Sequence, residues 1–315
     1  MDRRRFLVVA AAAPFALREV PDALARAAGP LVLVTADREA HVALVELATG
    51  RVRRRIPTRP DPFSIERAGR HAVVCHTVAG EVSILGGGPI GVRHVVAVDE
   101  PRYTAAAPDG RHAFVTDSGG TALRTLDFER GRVVASLRLK QWPRHLSLGP
   151  DGRTLWVGLG TASEELAVVD VADPRRPRLE RYLRPGFLAH DVGLAPAGGR
   201  VWVTGGAADT IAIHERGRFR RLAADAPPQH VTFLAGRVFV TSGGSGTLRV
   251  YDPAGRLLRT TRIPLGSYNV QYAAERILTP SLSSGTLTVL GPDGRVRGTI
   301  HVASSSHDAC LAPAA

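Results

Sequence analysis

Short apolar segments ending in Val-Thr or a near equivalent recur along the chain: Leu33-Val34-Thr35, Val73-Val74-Cys75, Phe114-Val115-Thr116, Trp156-Val157-Gly158, Trp202-Val203-Thr204, Phe239-Val240-Thr241 and Ile277-Leu278-Thr279. Their spacing stays near forty residues, roughly the period of one four-stranded propeller blade. After each comes a small polar loop and then an alternating strand, such as Leu166 to Asp170 or Leu248 to Asp252. A Gly-rich turn and an Arg-rich segment, such as Val52 to Ile56 or Val296 to Ile300, complete the unit. Period-two alternation broken by frequent turns is the all-β signal, and beyond the N-terminus no stretch sustains a helical period.

Before each Val-Thr segment except the first lies another short strand ending in a turn. Tyr103 to Ala106 precedes Pro108-Asp109-Gly110, and His145 to Leu148 precedes Pro150-Asp151-Gly152. Two pieces are left over: Asp308 to Leu311 has no Val-Thr segment after it, and Leu31 to Thr35 has no inner strand before it. The expectation is a seven-bladed β-propeller of four-stranded antiparallel blades, closed where the C-terminal segment supplies the innermost strand of the first blade. A length of 315 residues would otherwise suggest two domains. The repeat makes 28–315 a single one.

Residues 1–27 read as an export signal: a basic start (Arg3, Arg4, Arg5), an apolar run from Phe6 to Leu17, and Ala25-Arg26-Ala27 as a cleavage site. That run is too short to cross a bilayer, which needs about 20 residues, so no transmembrane helix is expected in the mature chain. Arg3-Arg4-Arg5-Phe6-Leu7 resembles the twin-arginine signal. The resemblance implies export by the twin-arginine translocase and a periplasmic, cell-wall-associated or secreted location.

Composition narrows the function classes. The net charge is +12, and all but one of the 41 basic residues are arginine, the exception being Lys140. The arginines are scattered along blade-edge segments, where charge blunts an exposed strand. With no basic helix or basic-aromatic motif, nucleic acid is not an expected partner. Acidic cell-envelope components remain as partners, and a monomer is expected. Two cysteines, Cys75 and Cys310, form no CxxC or Cys/His cluster and read as small buried residues.

The aromatic-Val-Thr triplet with its preceding Pro-Asp-Gly turn resembles the YVTN-type, YncE-like propellers, within the superfamily of quinoprotein amine dehydrogenase-like propellers. The resemblance covers nearly all of Leu31 to Leu311. The fourth position departs from Asn, being Asp117, Gly205, Ser242 or Pro280. Family members include ligand binders, envelope proteins and enzymes, so the resemblance implies a fold and no single activity.

In such a ring the residues leading into the innermost strands surround one channel mouth. These are Phe63-Ser64, Arg102-Tyr103, Arg144-His145, His190-Asp191, Gln229-His230, Tyr268-Asn269 and His307-Asp308. Convergent polar groups at one mouth form a candidate binding site for a small molecule or peptide. The most specific detail is a duplicated string, His190-Asp191-Val192-Gly193-Leu194-Ala195-Pro196 and His307-Asp308-Ala309-Cys310-Leu311-Ala312-Pro313. Imidazole and carboxylate suit a divalent metal, or a general base with its electrostatic partner. On that reading His190, Asp191, His307 and Asp308 are the metal candidates, and His190, His230 and His307 the catalytic ones. Wetted polar surface, duplicated with the repeat, accounts for the same residues without chemistry.

The segment at His190 is also similar to motifs of streptogramin-lyase-like propellers, which implies metal-assisted elimination. The aromatic-Thr-Glu ending of that group is absent, because Gly205 follows Thr204. Two function classes therefore stand: an exported binding or scaffold propeller, and a metal-dependent lyase or hydrolase. A redox partner is the third class, but no haem-attachment sequence is present. The other histidines, on blade strands and turns, are expected to be structural.

Overall fold

The computed structural model describes residues 29–160 and 163–314, so the expected signal segment lies outside the described residues. Within them are 28 strands and no α-helix. They form seven four-stranded antiparallel sheets. Blade 1 comprises β1 (Leu31–Ala36), β2 (His41–Glu46), β3 (Arg51–Pro57) and β28 (Ala309–Leu311). Blade 2 runs from β4 (Pro62–Ala68) to β7 (Gly91–Ala97), blade 3 from β8 (Pro101–Ala106) to β11 (Arg132–Arg138), and blade 4 from β12 (Leu146–Leu148) to β15 (Arg178–Leu183). Blade 5 runs from β16 (Asp191–Leu194) to β19 (Arg218–Ala223), blade 6 from β20 (His230–Leu234) to β23 (Leu257–Arg262), and blade 7 from β24 (Gln271–Ala273) to β27 (Val296–His301). The first strand of each of blades 2 to 7, with β28, touches the next round a closed ring.

The chain ends join as expected. β28 pairs antiparallel with β1 through Val32–Leu311, Leu33–Cys310 and Val34–Ala309. Ring closure thus rests on hydrogen bonds and packing between the two ends of the described chain.

Strand alternation divides the core into seven wedges, each between adjacent blades. On β1, Val32 and Val34 pack toward blade 7 with Leu278 and Leu287, while Leu33 packs toward blade 2 with Ile65 and Val74. Trp156 fills the wedge between blades 4 and 5, and Trp202 the next one. Cys75 and Cys310 are free and buried. Outer strands stay exposed; on β3 only Ile56 is buried, and Arg51, Arg53, Arg54 and Arg55 face solvent. A β-bulge recurs between the third and outer strands of every blade except blade 5. Such bulges twist an edge away from further pairing.

The threonine of the Val-Thr segment has a specific task. Its buried hydroxyl reaches across the wedge and donates to the carbonyl of the residue leading into the next inner strand. Thr116 donates to Arg144 and Thr204 to Gln229, both at 2.6 Å, and Thr241 donates to Tyr268. Blade 7 corrects the expected register by one residue. Pro280, not Thr279, pairs with Leu287 as Thr241 pairs with Leu248, and Ser281 matches Ser242 in bonding the preceding connection. Proline has no hydroxyl to give. Asn269 Nδ2 takes over, donating to the His307 carbonyl at 2.9 Å.

Two outcomes follow from this architecture. Deleting residues 306–315 removes β28 and should lower the melting temperature by roughly 10 °C or more, measured by circular dichroism. Thr204→Val leaves the Gln229 carbonyl and the Asp191 amide without their buried partner, and should cost about 1–3 kcal/mol in chemical denaturation.

Candidate functional site

The inner strands begin with equivalent backbone bonds, which sets the register of the mouth. The amides of Arg144, His190 and Gln229 each donate at 2.8 Å to the carbonyl of Gly158, Thr204 or Thr241 in their own blade. Side chains at this position, and at the one after it, then converge on the axis. Blades 4, 5 and 6 each contribute an imidazole: His145, His190 and His230, with one ligand atom from each lying within 4.8 Å of the others. All are nearly buried, at 6, 7 and 4% exposure. The ring centroids of His145 and His230 stand 4.1 Å apart, and those of His190 and His230 5.3 Å apart. Tyr103 lies against His145 at 3.3 Å, and the arc continues through Phe63 to His307. Gly206 passes so close to the His190 ring that a Cβ there would collide with it.

Asp191 organises this group. Its Oδ1 accepts from the Val192 amide at 2.7 Å and its Oδ2 from the Val231 amide of the next blade at 2.9 Å. The same carboxylate stands 3.2 Å from His145 Nδ1 and 3.6 Å from His230 Nδ1. A proton held on Nδ1 of His145 leaves the lone pair on Nε2, which is buried and has no hydrogen-bond partner. Burial pushes the pKa of His145 down even against the pull of Asp191. It pushes His190 and His230 well below the usual imidazole range, with the charge of Arg144 acting in the same direction. Three neutral imidazoles are three metal-ready donors.

The expected metal quartet of His190, Asp191, His307 and Asp308 is not gathered. Among the described residues the one group with metal-ligand spacing is His145, His190 and His230. His307 sits edge-on to Phe63 at 3.9 Å, and burial pushes its pKa down to about 3. The duplicated string has a backbone explanation. Asp308, like Asp191, accepts from the next amide in its own strand and from the inner strand of the following blade, here Ala309 at 2.9 Å and Ile65 at 3.0 Å. Both aspartates stitch blades together. Asp191 stands beside His145 and His230, whereas no ion pair links its string to His307 among the described residues.

The remaining mouth positions divide between anchored and unpaired groups. Arg102 pairs with Ser118 at 3.3 Å and Glu100 at 3.5 Å. Arg144 forms no ion pair among the described residues, and its Nε is buried without a partner. Gln229 Oε1 and Asn269 Oδ1 are also unpartnered, while the Tyr268 ring packs over Gly243. Histidines away from the mouth include His76, held by Pro60 and Ser83, and His112, held by Asp109.

Below the rings, a cavity of about 170 Å³ is lined by His145, Asp191, His230, Gln271, Asp308 and Glu66. Glu66 was not singled out in the sequence because a lone Glu on an inner strand has no motif around it. Burial, and then the charge of Asp308, pushes its pKa up to about 8; burial likewise raises Asp308 to about 7. The channel therefore holds both carboxyls above the usual carboxylate range.

No known sequence family matches the chain, and no curated protein sequence does. Solved structures do. The hydrazine synthase of Kuenenia stuttgartiensis aligns with TM-score 0.72 at 18% identity over 85% of this chain and 94% of that one. The periplasmic gluconolactonase PpgL of Pseudomonas aeruginosa aligns with TM-score 0.73 at 16% identity over 90% and 99%. Apo AztD from Citrobacter koseri aligns with TM-score 0.66 at 12% identity over 89% and 96%. At these identities the likeness is one of fold: a seven-bladed propeller resembling lactonase-like and YVTN-like propellers.

Glu66 gives the channel a measurable pH signature. Its raised pKa means the folded chain holds a proton that the unfolded chain releases near pH 4.3, so its contribution to stability falls from about pH 4 to pH 8. Glu66→Gln should accordingly raise the melting temperature by several degrees at pH 8.5 and much less at pH 5. An equal shift at both values would contradict the raised pKa of this channel-lining carboxyl.

Proposed function

We propose that this protein is an exported binding propeller that holds a divalent late transition metal at its channel mouth through His145, His190 and His230. The observation that carries the reading is the convergence of three buried, neutral imidazoles from consecutive blades. Imidazole donors suit zinc, copper, nickel or iron, and calcium or magnesium poorly. With metal–nitrogen bonds of about 2.0–2.1 Å, nitrogens on a tetrahedral zinc stand about 3.3 Å apart. The group needs to contract by no more than about 1.5 Å. Asp191 on His145 Nδ1 supplies the carboxylate that commonly orients a ligating histidine.

Export rests on Arg3-Arg4-Arg5-Phe6-Leu7 and the apolar run behind it, and the periplasmic gluconolactonase is a propeller of the same fold in such a compartment. In this reading the mature chain is a monomer, with an envelope component or small molecule as partner. A second reading, a metal-dependent lyase or hydrolase, is favoured by one feature. Three protein ligands leave at least one position of a tetrahedral ion open, and His145 and His230 border the cavity below.

Protein purified without affinity metals should contain, or bind on titration, about one zinc per chain by elemental analysis. His190→Ala and His145→Ala should each weaken binding at least ~100-fold, whereas His307→Ala should leave it within about threefold. A metal-free chain with no zinc affinity tighter than micromolar overturns the proposal, and loss in His307→Ala alone would return the site to the opposite side of the ring.

A further inference from the structure

Arg144 is at odds with a site built only for a cation. It occupies the mouth position of blade 4, immediately before His145. Its backbone is fixed at both ends, the amide donating to Gly158 at 2.8 Å and the carbonyl accepting from Thr116 at 2.6 Å. Its guanidinium has no carboxylate within 4.0 Å among the described residues, and Nε is buried without a partner. After burial, its charge is the largest influence on His190, His307 and Tyr103, and a smaller one on His145 and His230. Arg102, at the same position one blade earlier, has Glu100 at 3.5 Å and Ser118 at 3.3 Å. Arg144 is the guanidinium left over.

A free guanidinium beside three imidazoles repels a divalent ion, and the repulsion is strong where burial lowers the effective dielectric. It is relieved if a negative oxygen touches both charges. Three imidazoles leave a metal position for such an oxygen, and the guanidinium fork matches two oxygens of one planar group. Resting on the metal reading above, we infer that the mouth binds a small carboxylate together with its metal, with Arg144 as the carboxylate's anchor and the open metal position as its second contact. The ligand class of this propeller is then a carboxylate-bearing small molecule, recognised only in the metal-loaded protein.

Cobalt(II) tests this, since its visible bands report the ligands of a tetrahedral site. Cobalt-loaded wild type is titrated with sodium acetate at constant ionic strength held by perchlorate, beside Arg144→Gln and Arg144→Lys, with melting curves recorded for each. Expected is a saturable change of the wild-type bands, weakened at least tenfold in Arg144→Gln and partly retained in Arg144→Lys. Bands that form but ignore acetate, or that respond equally in Arg144→Gln, overturn the carboxylate inference and leave the metal reading standing. If Arg144→Gln does not fold, the wild-type titration and Arg144→Lys decide on the same criterion. Absence of cobalt bands in the wild type overturns the metal reading, and this inference with it.

Discussion

A single buried hydrogen bond, from a threonine hydroxyl in one blade to a carbonyl at the start of the next inner strand, sets the geometry on which the rest depends. Apart from this bond and the amide bonds accepted by Asp191 and Asp308, blades meet through apolar wedges, and apolar contact is non-directional. Wedges alone would let neighbouring blades slide. The hydroxyl of Thr116 or Thr204 ends that freedom, because a buried carbonyl left unpaired costs more than the bond itself returns. The carbonyls it holds belong to Arg144 and Gln229, the residues that flank the imidazole group. Fold and site share the same pin.

The repeat tolerates losing this pin where something replaces it. Blade 7 has Pro280 in the threonine's place and uses Asn269 instead. Blade 2 has Cys75, while Ser64 donates to the Arg102 carbonyl at 2.6 Å. Blade 4 has Gly158, and there Asp191 of the following blade approaches His145.

Burial drives the chemistry of the mouth in two opposite directions at once. Removing water disfavours every charged form, so imidazoles lose their protons while Glu66 and Asp308 keep theirs. The outcome is a set of neutral donors over a nearly neutral channel, with Arg144 as the charge that burial does not remove. That asymmetry is what the inferred pairing of a carboxylate with a metal at the mouth rests on.

The fold was legible in the sequence because a blade is a local object. Alternation, turn residues and the period near forty all lie within one repeat, and the unmatched strands at Leu31 and Asp308 required closure. The register of mouth residues followed from the same repeat. Which of them meet did not, because the channel brings together positions from different blades, separated by about forty residues in sequence, and side-chain length and ring packing select among them. The duplicated His-Asp strings drew attention to His190 and His307, yet their aspartates repeat for a backbone reason and their imidazoles fall into different groups. His145 joins His190 and His230 because three consecutive blades carry histidine, a pattern visible only once position is counted by blade. Arg144 was named at the mouth from the repeat, but its lack of a partner was not readable, and Glu66 was not singled out at all. Their character comes from the water excluded and the partners withheld by the closed ring, and those are properties of tertiary structure.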